Sequence, residues 1–229
     1  MKNLEKMEKR WLELVGKPRT KQEVSETLLL AKKLELERTK EYRGLIKELD
    51  KIGVKINSIW DLVNSKIKYP LAIPILLKYL PIVEHDKNKE GIIRALTVKE
   101  AKGKANKVLL NEYFKIPKEK NNLKWVIGNA MSVVVVDTDI EDIISIVLDK
   151  ENDISRQMFI LALGKIKSDK SKIEDVLIKL LDDEEVLPHV LSVLGKLKSQ
   201  KAKEKITSLL NHSVSLVRKE AQKALKKIT

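Results

Sequence analysis

The sequence predicts an all-α chain built from stacked helix pairs, and three observations carry that prediction. Leu163, Leu194 and Leu225 stand thirty-one residues apart, in the phrases Ala162-Leu163-Gly164-Lys165-Ile166, Val193-Leu194-Gly195-Lys196-Leu197 and Ala224-Leu225-Lys226-Lys227-Ile228. A period of this size marks units that cannot cover their own apolar face and must stack on their neighbours. Apolar residues recur three and four positions apart within each unit, as in Ile140, Ile143, Ile144 and Val147, and again Ile173, Val176, Leu177 and Leu180, which is helical spacing. Eight Gly and six Pro in 229 residues are too few for the turns of a sandwich or barrel. The fold class is therefore an α-solenoid.

Residues 1–69 do not follow the repeat. Thr20-Lys21-Gln22-Glu23 is a capping box, in which each side chain serves an orphan backbone N–H at a helix start. The pattern after it predicts helices near 20–37 and 39–52 and a short one near 58–64. A stack needs an atypical end unit to cover its terminal apolar face, so this region is expected to cap the solenoid; a separate partner-binding helical region is the alternative.

From residue 70 the chain divides into five helix pairs, 70–101, 104–135, 138–167, 171–198 and 200–229. The first, "A", helix of each pair ends in an apolar doublet: Tyr79-Leu80, Tyr113-Phe114, Val147-Leu148, Leu180-Leu181 and Leu209-Leu210. The second, "B", helices are tied by register, because Lys124 to Met131 matches Arg156 to Leu163 at an offset of 32 and Lys89 to Leu96 matches at a further 35. Thr138 with Glu141 and Ser171 with Glu174 read as further capping boxes. Gly103 is expected to end a B helix and Pro117 an A helix, and Pro74 predicts a kink or a late start in the first A helix.

These residues resemble the HEAT-repeat family of armadillo-type α-solenoids. The match is carried by Val147-Leu148-Asp149, Asp153, Arg156, Ala162-Leu163-Gly164 and Ile166, and again by Leu209-Leu210-Asn211, Val217-Arg218 and Ala224-Leu225. It implies a right-handed solenoid over residues 70–229, with the B helices lining a concave surface. It also implies a ladder of an Asp in the inter-helix turn and a base early in helix B, with Lys124, Asp153, Arg156 and Arg218 as structural members. The fourth repeat departs from it, with Leu187 in the basic position. A looser resemblance, to the HEAT-like alkylpurine DNA glycosylases, rests on Trp125, Asn129 and Arg156. Neutral Asn129 stands there in place of the family's Asp, and an amide cannot stabilise a developing glycosyl cation as a carboxylate would.

Charge is unevenly placed. The chain carries 46 Lys plus Arg against 33 Asp plus Glu, a net +13. Over the ranges 87–101, 120–135, 154–167, 185–198 and 214–229 the B helices sum to +12, while the A helices at 70–82, 104–116, 138–149, 171–182 and 200–211 sum to zero. A one-sided positive layer favours an acidic protein surface or a polyanion. Lysines in last helical turns also meet carbonyls and the negative dipole end without any ligand, so the basic edge of Lys165, Lys196 and Lys227 is open to both readings.

Projecting each B helix at 100° per residue turns Phe159, Ala162, Leu163 and Ile166 inward and leaves one outward set per repeat. These sets are Glu90, Arg94 and Thr97; Trp125, Asn129 and Ser132; Gln157, Leu161 and Gly164; Pro188, Ser192 and Gly195; Lys219, Lys223 and Lys226. The candidate binding residues are Arg94, Trp125, Asn129, Gln157, Ser192, Lys219, Lys223 and Lys226. Trp125 stands out, since an exposed Trp commonly anchors a partner or stacks on a base, whereas a register one residue off would make it core.

Chemistry has little support. There is no P-loop or Rossmann glycine pattern, and His85, His189 and His212 lie far apart. Asp137, Asp139, Glu141 and Asp142 alternate like metal ligands but sit at a helix start, where carboxylates favour the dipole. Without cysteine there are no disulfides or thiolate metal sites, consistent with a reducing compartment. The charged Met1-Lys2-Asn3-Leu4-Glu5-Lys6 start is unlike a signal peptide, and no apolar run approaches a membrane span. The expectation is a cytoplasmic, non-enzymatic scaffold without cofactor or metal, docking a protein partner of acidic character, with nucleic-acid binding as the alternative.

Overall fold

The computed structural model describes residues 2–228, with the side chains of Lys2, Asn3 and Glu5 outside the described set. Among these residues every regular element is a helix, and sequential helices pack as neighbours, as an α-solenoid of helix pairs requires. The chain forms two compact units, Met1–Ala95 and Leu96–Thr229.

In the first unit, α1 (Lys2–Val15) packs on α2 (Lys21–Glu41). Helix α1 was not expected, although Leu4, Met7, Trp11 and Leu14 recur at helical spacing. Arg10 grips Glu26 through Nε at 2.8 Å, and Arg38 grips Glu8 at 2.6 Å. The Thr20 box forms as expected, with the Glu23 N–H donating to Thr20 Oγ1 at 3.2 Å and Thr20 N–H donating to Glu23 Oε2 at 2.9 Å. Helix α3 (Arg43–Lys51) follows after Tyr42, which is wholly buried with its hydroxyl 3.3 Å from both Glu35 and Ser58. Ser58 and Asp61 box the start of the short α4 (Ile59–Val63).

Helices α5 (Ile73–Tyr79) and α6 (Asp86–Ala95) occupy the expected first repeat. Pro74 lies in the first turn of α5, where a missing N–H costs nothing, so the α-helix starts late, after a 3-10 turn at Pro70–Ala72. This pair packs on α3 and α4. The Tyr79 hydroxyl donates to Glu48 at 2.9 Å, and Glu41 accepts the Glu84 and His85 N–H groups at 2.7 and 3.0 Å.

The second unit contains α7 (Asn106–Lys115), α8 (Asn121–Val134), α9 (Ile140–Leu148), α10 (Arg156–Leu163), α11 (Lys170–Lys179), α12 (Leu187–Leu197), α13 (Lys203–Ser208) and α14 (Ser215–Ile228). The A helices are α7, α9, α11 and α13; the B helices are α8, α10, α12 and α14, each packed on the next. Pro117 follows the end of α7 by two residues, as expected. Gly103 does not end a B helix directly: α6 stops at Ala95, a 3-10 turn spans Lys99–Ala101, and Gly103 at φ 71° closes that turn.

Two expected capping boxes do not form. Helix α9 starts at Ile140, beyond Thr138, and the Asp139 carboxylate accepts the Val136 N–H at 2.9 Å; Glu141 pairs with Lys172 instead. Helix α11 starts at Lys170 after left-handed Asp169, so Ser171 is already inside it. Both carboxylates expected to cap, Glu141 and Glu174, lie toward lysines of the following repeat.

The outward assignment of three small residues is corrected by packing. Gly195 and Ser132 are buried, and Gly164 is half-buried. A methyl group at Gly164 would lie 2.8 Å from Val193 Cγ1, and one at Gly195 would lie 2.7 Å from the Ala224 Cα. These glycines let successive B helices approach closely, so they serve the seam rather than the surface. Gly195→Ala is expected to force backbone movement and cost about 1–3 kcal/mol. A urea midpoint equal to that of the parent chain would contradict this packing.

Candidate binding face

On the B helices a row of incompletely covered positions recurs in register. Trp125 and Asn129 on α8, Gln157 and Leu161 on α10, and Pro188 and Ser192 on α12 are half-buried, while Lys219 and Lys223 on α14 are exposed. Val126, Ile127 and Ala130 beside Trp125 are buried, which excludes a one-residue slip that would make the indole core. A half-covered indole keeps its orientation while leaving apolar surface to a partner.

Not all of the set has its polar atoms available. Gln157 Nε2 donates to the Glu185 carbonyl at 3.0 Å, and Lys223 is held by Glu220 at 2.6 Å. Arg94 belongs to the first unit, where Nε donates to Glu90 at 2.7 Å. Lys226 is exposed. Two residues beside the stripe escaped the sequence reading, half-buried Met158 and His189. The His189 Nδ1 is enclosed without a hydrogen-bond partner, and burial pushes the imidazole below its ordinary value, favouring the neutral ring; Glu220 opposes this.

The basic ladder is structural, with a different acid from the one expected. Arg156 is 2% exposed and takes Asp183 of the next repeat at 2.7 Å; towards Asp153 it donates only to the backbone carbonyl, at 3.2 Å. The Asp153 carboxylate instead accepts from Asn121 at 3.1 Å, while its backbone sits at φ 49°. Lys124 is buried, reaches Asn152 Oδ1 at 3.3 Å and lies 4.2 Å over the Tyr113 ring. Burial, then the charge of Lys118, pushes its amine below the ordinary lysine value. Arg218 donates to the His212 and Ser213 carbonyls at 2.6 and 2.7 Å. In the fourth repeat Leu187 and Val214 stand thirty-one residues beyond Arg156 and Asp183; Leu187 is buried, whereas Val214 is exposed.

The acidic stretch is likewise absorbed by the fold. Asp139 is buried, capping Val136 and accepting from Asn106 at 2.7 Å; Asp137 accepts the Lys167 N–H at 2.9 Å. No group of three or more His, Cys, Asp or Glu among the described residues could hold a metal ion, and no described helix is long and apolar enough to cross a membrane.

Several A-side lysines meet carboxylates of a neighbouring repeat. On the A side Lys172 pairs with Glu141, Lys201 with Asp175 at 3.2 Å, Lys205 with Asp182 at 2.6 Å, and Lys118, just beyond the end of α7, with Glu151. At the B-helix ends, Lys165, Lys196 and Lys227 are exposed, and among the described residues no carboxylate lies within ion-pair distance of Lys165 or Lys196. Burial, then the charges of Lys196, Lys102 and Lys99, pushes the Lys165 amine below its ordinary value, so four amines from three segments act on one another.

No curated protein and no solved structure matches this chain, and the likeness to alkylpurine DNA glycosylases finds no support. The family model described as HEAT repeats matches residues 140–226. That stretch runs from α9 to the last turn of α14, and the match supports a helical protein containing HEAT repeats.

Proposed function

We propose that this chain is a non-enzymatic scaffold whose B-helix face docks a protein segment of acidic character. The observation that carries it is Trp125, half-buried in a register row with Asn129, Leu161 and Ser192 that ends on Lys219. Such a row offers one aromatic anchor, small polar contacts and a cationic end, the ingredients of an interface in which few residues supply most of the energy. HEAT repeats commonly serve interaction roles, which supports the same reading. An enzymatic role draws no support from the site, where Arg156 is committed to Asp183 and Asn129 is uncharged.

Affinity capture with the parent chain, Trp125→Ala and Lys219→Glu tests the proposal. At least one specifically retained protein should weaken by about 30-fold or more with Trp125→Ala, as loss of an anchor worth ~2 kcal/mol requires. Unchanged retention of every partner by both folded variants would sink it. The +12 layer also favours a nucleic-acid reading, in which neutralising about five phosphates gives a log K slope near −4.5 against log salt. Absence of any duplex or single-strand shift at low salt would remove that alternative.

A further inference from the structure

The amines at the B-helix ends form a single file. Gly164 lies against Val193 and Gly195 against Ala224, so α10, α12 and α14 pack side by side near their C-terminal ends. Lys165, Lys196 and Lys227 therefore occupy one register position on successive helix ends. On α8 that position is Val133, but the Lys99–Ala101 turn is bound onto the same helix end, with the Gly103 N–H donating to the Val134 carbonyl at 3.2 Å. Lys99 and Lys102 thus supply the amine that α8 itself lacks.

The physical alternative is that these lysines only complement helix dipoles. A helix C-terminus carries about half a negative charge, and each end here has at least one full cation. The nearby carboxylate of Asp137 is engaged by the Lys167 N–H. Some A-side lysines, Lys172, Lys201 and Lys205, meet a carboxylate of the adjacent repeat. The rim's carboxylates, Glu100 between Lys99 and Lys102 and the nearby Asp137, are outnumbered by its five lysines, which leaves an excess of positive charge there.

Spacing selects the occupant. Packed helices stand about 8–10 Å apart, so the file offers one cation roughly every 8–10 Å. In a polyproline II segment every third side chain returns to the same face, at about 9.3 Å. A single file of amines also takes a narrow chain more readily than a helix about 10–12 Å wide. Resting on the scaffold reading above, we infer that the rim formed by Lys99, Lys102, Lys165, Lys196 and Lys227 binds an extended acidic peptide segment with a carboxylate at every third residue.

The test uses the full chain and fluorescent peptides. A repeating Glu-Pro-Pro peptide is compared, by anisotropy at low salt, with a peptide of identical composition whose glutamates are contiguous. The phased peptide should bind at least about tenfold more tightly. Lys165→Gln with Lys196→Gln should remove that advantage, whereas Lys172→Gln with Lys201→Gln on the A side should preserve it. Equal affinity for both peptides, an undiminished advantage in the rim variant, or equal loss in both variants would overturn the inference. So would tighter competition by a single-stranded oligonucleotide or by a helical peptide with Glu at every seventh position. If the phased peptide fails while Trp125→Ala still releases a captured protein, the rim inference falls and the scaffold proposal stands. If Trp125→Ala releases nothing while the phased peptide binds through the rim, only the Trp125 face is rejected.

Discussion

Arg156→Ala is expected to destabilise the second unit by about 3–5 kcal/mol, because it strands a charge rather than merely deleting a contact. The guanidinium is 2% exposed and holds Asp183, itself 10% exposed, while donating to the Asp153 and Val147 carbonyls. The fourth repeat supplies the control. Arg156→Leu with Asp183→Val introduces the residue types of Leu187 and Val214, and it should recover much of the loss by removing both polar partners. Urea unfolding followed by circular dichroism measures both; a double variant no more stable than Arg156→Ala would show that the pair is not the origin of the effect.

The same variant carries a pH signature. Burial raises the Asp183 carboxyl, but the hydrogen bond and charge of Arg156 outweigh it and hold the group below the ordinary carboxylate value. A depressed folded value contributes stability that is complete above the unfolded pKa of about 3.9 and is lost as pH falls through the folded value. In Arg156→Ala this depression should shrink. Burial is then opposed only by the Glu185 N–H and the charge of Lys150, and the loss of stability on acidification should be smaller than in the parent. A parallel pH dependence in parent and variant would contradict this assignment.

Phe159→Ala is the second large effect, expected to cost about 3–5 kcal/mol. The ring is fully buried and meets Tyr113 edge-on at 4.8 Å, and a methyl group at Gly128 would lie 3.0 Å from it. The node joins α7, α8 and α10. Tyr113 adds a hydroxyl 2.9 Å from Ser155 and a face covered by Lys124. Burial pushes the Tyr113 phenol up to about 12, against the opposing Ser155 hydrogen bond. Opening a cavity beside it should lower that value as water reaches the ring, so ultraviolet titration gives a readout separate from stability. A variant with the parent midpoint and phenol titration would place the core elsewhere.

Much of this arrangement was legible in the sequence, because period and amphipathicity are local. The A and B helices of the second unit, the late start at Pro74 and the Thr20 box all follow from residues a few positions apart. Helix α1 was also legible, in Leu4, Met7, Trp11 and Leu14, but lies outside the repeat that drew attention. The failed boxes at Thr138 and Ser171 have a different origin. Glu141 and Glu174 are close in sequence to those hydroxyls, yet lie toward Lys172 and Lys201 of the following repeat.

On the candidate face, the sequence register located the half-buried row through Trp125 and Asn129, and it showed that the cations gather in one helical layer. Chain order alone could not say that Gly164 and Gly195 fill a seam, that Arg156 takes Asp183 rather than Asp153, or which lysines meet a carboxylate. Those depend on groups about thirty residues apart that become neighbours only when repeats stack. By itself the sequence determined helices, period and the layer that carries the charge, since these follow from side-chain spacing along a helix. Only the tertiary structure decided that Lys172, Lys201 and Lys205 each meet a carboxylate of the neighbouring repeat, because such a pair requires an acid brought across the gap between repeats.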